Sequence, residues 1–425
     1  MSIMTKASAI RSRSLKASIA TGAVLASAAL VLSGCSTPGG GGGGEVEDLS
    51  LKIGTALPQT GNLAFLGPPE EAGVAYAVSE INAATADTGL TLDVVYGDSG
   101  DTDNKAYETE IPRLLGEDVS AILGAASSGT SLQFIDQVVG AGVIQFSPAN
   151  TSDAFSTYDD NGLYFRTAPS DVLQGEVLGN LIAEDGNQTL GMIVLNDSYG
   201  TGLAKYVTEA FEAAGGQVVA APTYNTGDTI FTTQISEVLA AAPDAIALIT
   251  FDEVSTILPG LFGKVDPSNL YFVDGNLKNF ADAFPTGSLT GSKGTLPGLS
   301  IDAIGEFTSQ LDDFLAAEGT DALEDYSYAA ESFDATVLIA LGALAAGSTD
   351  GVEIAAKLQE VSGGSGDGEK CSSYADCAAI IIGGGVADYD GISGPITFDE
   401  VGDPTEASVG IYVYGDDNNY AAYTG

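Results

Sequence analysis

Histidine and tryptophan are absent from this 425-residue chain, and 14 Lys and Arg stand against 58 Asp and Glu. Without histidine there is no Ser-His-Asp triad, no Cys-His pair, no imidazole base and no imidazole metal ligand. The formal net charge of −44 excludes DNA and RNA as partners, because phosphate would be repelled. Cysteine is scarce as well, with three in the whole chain. The hydrophobic fraction is 44%, too high for a disordered acidic tail. Length predicts about two to three domain-sized units.

What is present begins with an address. Residues 1–34 carry Lys6, Arg11, Arg13 and Lys16 and no acid, followed by an apolar run from Ile19 to Leu32. A basic region, a short apolar region and small residues before a cut site describe a secretory signal peptide. That run is too short for a comfortable membrane span, and no later stretch is read as one. Leu32-Ser33-Gly34-Cys35 resembles the lipobox of bacterial lipoproteins, which implies that Cys35 becomes the lipidated first residue of the mature chain. Six glycines, Gly39 to Gly44, follow and suit a flexible tether over residues 35–48. The mature chain then carries 10 basic and 58 acidic residues, a charge of −48, which favours a soluble, self-repelling surface and a monomer. The other two cysteines form Cys371-Ser-Ser-Tyr-Ala-Asp-Cys377. Outside the cytoplasm the simplest reading is a local disulfide; free thiols are the alternative. A metal site would need further Cys or His ligands that the sequence does not offer.

From about Leu49 short apolar runs alternate with helical patterns. Strands are expected at Leu51–Ala56, Thr91–Tyr96, Val119–Leu123 and Val143–Phe146 from length and alternation. Helices are expected from Pro68, over Ala106–Gly116 and over Thr130–Val139, the first with proline and acids suited to an N-terminal turn. The rhythm restarts with strands at Leu190–Leu195, Gln217–Ala221, Ala245–Thr250 and Leu270–Val273, and helices at Thr201–Ala214, Phe231–Ala241 and Val254–Phe262. Such alternation means parallel sheets flanked by helices. The reading is therefore α/β: two doubly wound lobes joined by a hinge of more than one crossover. The lobes are expected at 49–168 plus about 299–393, and at 169–298 plus about 394–425. The last third reads as helices Ile304–Glu318, Ala329–Ala346 and Val352–Val361 and late strands Pro395–Phe398 and Ser408–Tyr414.

Ligands of open parallel sheets bind beyond the carboxyl ends of the strands. Those loops here are 58–67, 124–130, 147–151, 196–200, 251–253 and 274–276. Several feed helix N-termini, whose free N–H groups and nearby hydroxyls suit a small anion. Ser128, Thr151 and the backbone near Ala149 are candidates for such a cradle, each with helix capping as its ordinary alternative.

Five segments carry a family resemblance: Ile53–Gly61, Ile122–Ser128, Gly142–Pro148, Asn196–Ala204 and Tyr328–Ala335. In order and spacing they resemble the type I periplasmic binding proteins, in the leucine/isoleucine/valine-binding branch of ABC-transporter receptors. The resemblance runs from about Leu51 to Tyr414. It implies that Ser128, with Ser127 beside it, receives a ligand carboxylate. It implies that Ala149 and Thr151, flanking Asn150, serve the α-carboxylate and ammonium. It places an aromatic at Tyr199, and a first-loop aromatic at Phe65 and Leu66. The aromatic and the acid of the second lobe fall on Thr250 and Asn276. An asparagine lacks the charge that an ammonium prefers. Asp252 or Asp274 would substitute, or the ligand would be a neutral amide or another small carboxylate.

Other motifs read as coincidence. Leu57-Pro-Gln-Thr-Gly61 matches a sorting signal but precedes the whole body. Asp87-Thr-Gly89 and Asp98-Ser-Gly100 resemble aspartic-protease triplets, yet a predicted strand separates them, and turn chemistry accounts for both. Asp98, Asp101, Asp103 and Asn104 lack the spacing of a calcium loop. Gly383-Gly-Gly385 lacks the Lys of a phosphate loop.

The expected activity is capture of a small polar solute, without catalysis, cofactor or metal. The partners implied by the resemblance are that solute, an ABC permease and its ATPase, and the membrane through the lipid on Cys35, outside the cell membrane. A ligand sensor of the same fold is the alternative, and an extracellular hydrolase using carboxylate, lysine or metal chemistry a further one.

Overall fold

A computed structural model describes residues 48–424. The expected signal peptide, Cys35 and the tether up to residue 47 lie outside the described residues. The first part of the chain forms β1 (Leu49–Ala56), α1 (Gly67–Ala83), α2 (Thr85–Thr88), β2 (Leu90–Val95), α3 (Tyr107–Leu115), β3 (Ala121–Gly124), α4 (Ser128–Gly140), β4 (Ile144–Ser147) and β5 (Tyr164–Arg166). Its five strands make one parallel sheet in the order β2-β1-β3-β4-β5. The order reverses at β1/β3, where Ile53 pairs with Ala121. Strands β3 and β4 are buried at every residue, which is why they read as unbroken apolar runs. Leu51, Ile53, Leu123, Ile144 and Phe146 enter one core, and Ile122 enters another with Ile111 of α3 and Phe134 of α4.

The chain then forms α5 (Asp171–Glu184), β6 (Thr189–Leu195), α6 (Ser198–Ala213), β7 (Gln217–Ala220), β8 (Thr223–Tyr224), α7 (Thr232–Ala240), β9 (Ala245–Ile249), α8 (Val254–Ile257), β10 (Leu270–Phe272) and β11 (Lys293–Pro297). It continues as α9 (Gly305–Glu318), α10 (Ala329–Ala346), α11 (Gly351–Val361), β12 (Glu369–Cys371), α12 (Tyr374–Ile382), β13 (Ala387–Gly391), β14 (Gly394–Pro395), β15 (Val409–Tyr414) and β16 (Tyr420–Ala422). The second sheet runs β16-β15-β11-β10-β9-β6-β7, with β8 also paired to β6. Strands β6 to β11 pair in parallel, and β15 and β16 pair antiparallel at the β11 edge. Leu190, Ile193, Leu248 and Phe272 enter a core with Leu203 and Phe211 of α6.

Helices α9, α10 and α11 return to the first core, through Phe307, Leu311, Leu338 and Leu358. Three segments therefore pass between the sheets: β5 to α5, β11 to α9, and the stretch leading to β15. On the third, Ile396 and Phe398 still pack in the first core. They lie beyond the change of lobe expected at about residue 394.

Some expectations are corrected. Pro395–Phe398 is not a strand: β14 ends at Pro395, and Phe398 makes one isolated bridge to Pro404. The helix expected over Val254–Phe262 is α-helical only to Ile257 and becomes a 3-10 turn around Pro259, whose ring nitrogen cannot donate. Helix α10 is apolar and 18 residues long, enough by composition to cross a membrane, contrary to the sequence reading of the mature chain. It lies 83% buried, as a core helix. Elements α5, β5, β11, α12, β12 and β13 were not anticipated. Helix α5 hides because Gly175 and Gly179 occupy its contact face. A Cβ at Gly179 would lie 2.7 Å from both Ala210 Cβ and Val207 O of α6, so glycine sets the spacing of this helix pair. Cys371 and Cys377 are joined, with Cα atoms 5.4 Å apart.

Candidate functional site

The loops after β1, β3, β4, β9 and β10 meet the start of α6 and the residue before α10 around a small, nearly closed-up cavity of about 10 Å³. Leu63, Leu66, Ala126, Phe251 and Tyr328 give it apolar walls. Its polar groups divide by lobe.

On the first-lobe side α4 starts at the cavity. Ser127 caps it, its Oγ accepting from Thr130 N at 3.3 Å. The N–H groups of Ser128 and Gly129 then have no acceptor within the helix and carry the positive end of its dipole. Ser128 Oγ accepts from Thr151 N at 3.3 Å and Ser152 N at 3.2 Å, which leaves the hydroxyl proton as a donor. Thr151 Oγ1 is buried and makes no regular hydrogen bond, but it lies close enough to the Asp171 carboxyl to help hold that group's pKa down. The hydroxyl of Ser147 holds the β4 loop by accepting from Ala149 N at 3.2 Å and Asn150 N at 2.9 Å.

On the second-lobe side the chemistry is a carboxylate. Asp274 is fully buried against Tyr199, whose OH donates to Oδ1 at 2.7 Å, and Tyr328, whose OH donates to Oδ2 at 2.8 Å. Gln174 Nε2 donates to Oδ1 at 3.0 Å. Burial pushes the Asp274 carboxyl above its usual range, while these donors hold it down. Asp171, at the start of α5, has two buried oxygens with no hydrogen-bond partner. Burial first, and the charge of Asp274 second, push its carboxyl far up. Asp274 is the acid that lines the cavity, and no basic side chain lines it. The Tyr199 ring stacks on Phe251, centroids 5.3 Å apart.

The residues singled out from sequence fall into two groups. Ser127, Ser128, Ala149, Thr151, Tyr199, Asp274 and Leu66 line the cavity. Phe65, Asn150, Thr250, Asp252 and Asn276 do not. Asn150 is a structural pin, its Nδ2 donating to Ala125 O and Ala126 O and its Oδ1 accepting from Tyr164 OH. Asn276 is spent on backbone and core: Nδ2 donates to Leu248 O and Thr250 Oγ1, and Oδ1 accepts from Val273 N. The aromatic and the acid that line the cavity on this side are Phe251, one residue after Thr250, and Asp274, two residues before Asn276. Asp252 pairs outside the cavity with Lys278, whose Nζ lies 5.4 Å from the centre of the Phe65 ring.

Phe251, Tyr328 and Leu63 line the cavity and were missed. For Phe251 a signal existed, since it ends the apolar run of β9. For Tyr328 the signal was its place at the head of the Tyr328–Ala335 segment, but that this segment, far along the chain, reaches the cleft is a long-range fact.

Contacts also bridge the cleft rim. Asn62 Nδ2 donates to Glu253 Oε1 at 2.6 Å, and Asp252 N donates to Asn62 O at 3.2 Å. The acidic loop after β2 holds the Asn62 loop in place. Asp98 Oδ1 accepts from Gln59 N and Thr60 N at 3.1 Å, and Asp101 Oδ2 accepts from Asn62 N at 3.0 Å. Asp98 and Asp101 of this acidic loop act as backbone acceptors, and no cluster of three or more metal-ligating side chains occurs among the described residues.

The profile of the family described as periplasmic binding protein matches residues 50–262. The chain belongs to the periplasmic binding protein family. Within that family it is 30% identical over 194 residues to the leucine-, isoleucine-, valine-, threonine- and alanine-binding protein of Pseudomonas aeruginosa. That stretch covers 45% of this chain and 51% of the Pseudomonas protein, so the chain spans about half the length of that relative. It is 24% identical over 355 residues to a chemotactic signal-transduction substrate-binding protein of Halobacterium salinarum, covering 81% of this chain and 83% of that one. Its fold is that of the Streptococcus pneumoniae branched-chain amino acid transporter binding protein LivJ, solved with isoleucine, at a TM-score of 0.68 and 21% identity over 88% of this chain and all of that one.

Proposed function

We propose that this protein captures a small zwitterionic solute, an α-amino acid with a short aliphatic side chain, and releases it unchanged to an ABC permease and its ATPase. The observation that carries this reading is the two-ended cavity. Free N–H groups and hydroxyls at α4 and Thr151 suit a carboxylate, and the buried carboxylate of Asp274 suits an ammonium. Apolar residues between them suit an aliphatic chain. The names of the Pseudomonas relative and the Streptococcus neighbour support the same solute class.

On this reading the lobes close about the three-strand hinge, and the Asn62–Glu253 contact belongs to the closed form. The chain acts as a monomer, anchored outside the cell membrane by lipid on Cys35 and held covalently at Cys371–Cys377. Calorimetry with L-isoleucine, L-valine, L-leucine and their amides tests the site. Binding of the amino acids but not of the amides is expected; equal binding of both overturns the carboxylate end. Cys35→Ser should shift the protein from the membrane fraction to the medium.

A second reading has its own support. The relative that aligns over four-fifths of this chain is named for chemotactic signalling, so the captured solute would be reported to a transducer. Loss of uptake without loss of taxis in a deletion strain would exclude this reading; the converse would favour it.

A further inference from the structure

The three crossovers border a second, half-open cavity of about 180 Å³. Thr167 and Pro169 line it from the first crossover, Gly298 from the second and Ser408 from the third. Glu331 reaches it from the first turn of α10, three residues after Tyr328. One short segment thus presents Tyr328 to the cleft and Glu331 to the hinge. Glu331 is only 6% exposed, and no side chain among the described residues donates to its carboxyl; its own backbone N–H is the donor that faces it. Gly298, at φ +99, brings its bare Cα against Glu331 Oε1, where any Cβ would overlap that oxygen. The crossover is shaped around the carboxyl.

The surroundings are acidic. Glu406 lines the same cavity. The charges of Asp334 on α10 and Glu70 on α1 lie within Coulombic range, as do the hydroxyls of Tyr328 and Tyr412. No Lys or Arg lines it. A buried carboxyl with a single backbone donor and no side-chain donor is costly to ionise, and burial together with Asp334 pushes this one up to about 8. An ammonium would supply both the missing charge and the missing donors. The volume exceeds what a bare metal ion would fill, and no metal-ligating cluster accompanies it among the described residues.

We propose that the hinge cavity is a second binding site, for a small organic cation of the primary ammonium class, with Glu331 as its counter-ion and the hydroxyls of Thr167 and Ser408 as acceptors. Its occupant touches all three crossovers. The site is independent of the reading given to the cleft.

The test uses the full chain carrying Asp274→Asn, so that the cleft carboxylate does not take the probe. Ethylammonium chloride should raise its melting temperature above that seen in sodium chloride at equal ionic strength. Adding Glu331→Gln should abolish the difference. Glu406→Gln, at an exposed position, leaves folding intact and should weaken ethylammonium several-fold. Affinity should be at least ten-fold higher at pH 9 than at pH 6.5, because the occupant needs Glu331 ionised. A shift equal to that in sodium chloride, a shift retained in Glu331→Gln, or an equal response to neutral glycerol would each overturn the proposal. Failure of amino acids to bind the wild-type cleft would leave these outcomes unchanged.

Discussion

The two walls of the cleft are built on different principles. The first-lobe wall distributes its work. Ser127, Ser128, Ser147 and Asn150 are engaged with backbone, and what faces a guest is chiefly helix N–H, with two hydroxyls. The second-lobe wall concentrates its work in one carboxylate held by three side chains. A wall made of backbone tolerates the loss of a side chain. A wall made of one charge does not.

Breaking the concentrated wall should therefore have the largest effect. Asp274→Asn keeps the shape and removes the charge. Losing a buried charged partner costs roughly 2–4 kcal/mol, so amino acid affinity should fall on the order of 30- to 1,000-fold in calorimetry. The wild-type affinity should also fall as pH drops, because an ammonium needs Asp274 ionised. Burial raises this carboxyl, so the loss begins above the usual aspartate range, and Asp274→Asn should be flat there. Ser128→Ala tests the distributed wall. It removes one donor and one brace of the Thr151 loop, while the N–H groups of α4 remain. About 1–1.5 kcal/mol, near ten-fold, is expected. An equal loss in both variants would dissolve the contrast.

The same contrast explains how legible the site was in the sequence. The first-lobe wall sits on loops that follow β1, β3 and β4 directly, so motif order pointed to Leu66, Ser127, Ser128, Ala149 and Thr151, all of which line the cavity. Even there, Asn150 turned inward to Ala125 O and Ala126 O. The second-lobe wall depends on where two strands stop. An apolar run such as Ala245–Phe251 does not mark its own last paired residue, and a slip of one residue turns a side chain to the other face. Thr250 and Phe251 differ by that kind of slip, whereas Asp274 and Asn276 are two positions of the turn that follows β10. Asp171 and Tyr328 needed the crossovers, which are long-range facts. At the level of fold, the parallel βα rhythm was plain because its strands are buried on both faces. Strand β11, Lys-Gly-Thr-Leu-Pro, was not, because burial in it comes from its neighbours β10 and β15.

Between the walls lies the rim, where a smaller effect is expected. Asn62 donates to Glu253 across the cleft and is held by Asp101. The contact forms only when the lobes meet, so Asn62→Ala should act on the closed state. At about 1 kcal/mol for one charge-assisted bond at a part-exposed site, affinity falls roughly five-fold. The change should appear as faster release with little change in association, since interface changes act mainly on dissociation. Slower association alone would place Asn62 in capture and not in retention.

The smallest effect on binding should come from a region in neither wall. Cys371 and Cys377 bracket the turn between β12 and α12, packed against the first core through Tyr374 and Ala378. The paired Cys371→Ser and Cys377→Ser change opens a seven-residue loop, and by loop-closure entropy the cost is at most roughly 2 kcal/mol. The expected result is a lower melting temperature with amino acid affinity unchanged within about two-fold. Neither cysteine lines the cleft or the hinge cavity, and no crossover begins at β12 or α12. A change in affinity comparable to that of Ser128→Ala would mean that closure strains the first core itself, and the walls could then no longer be treated as rigid bodies.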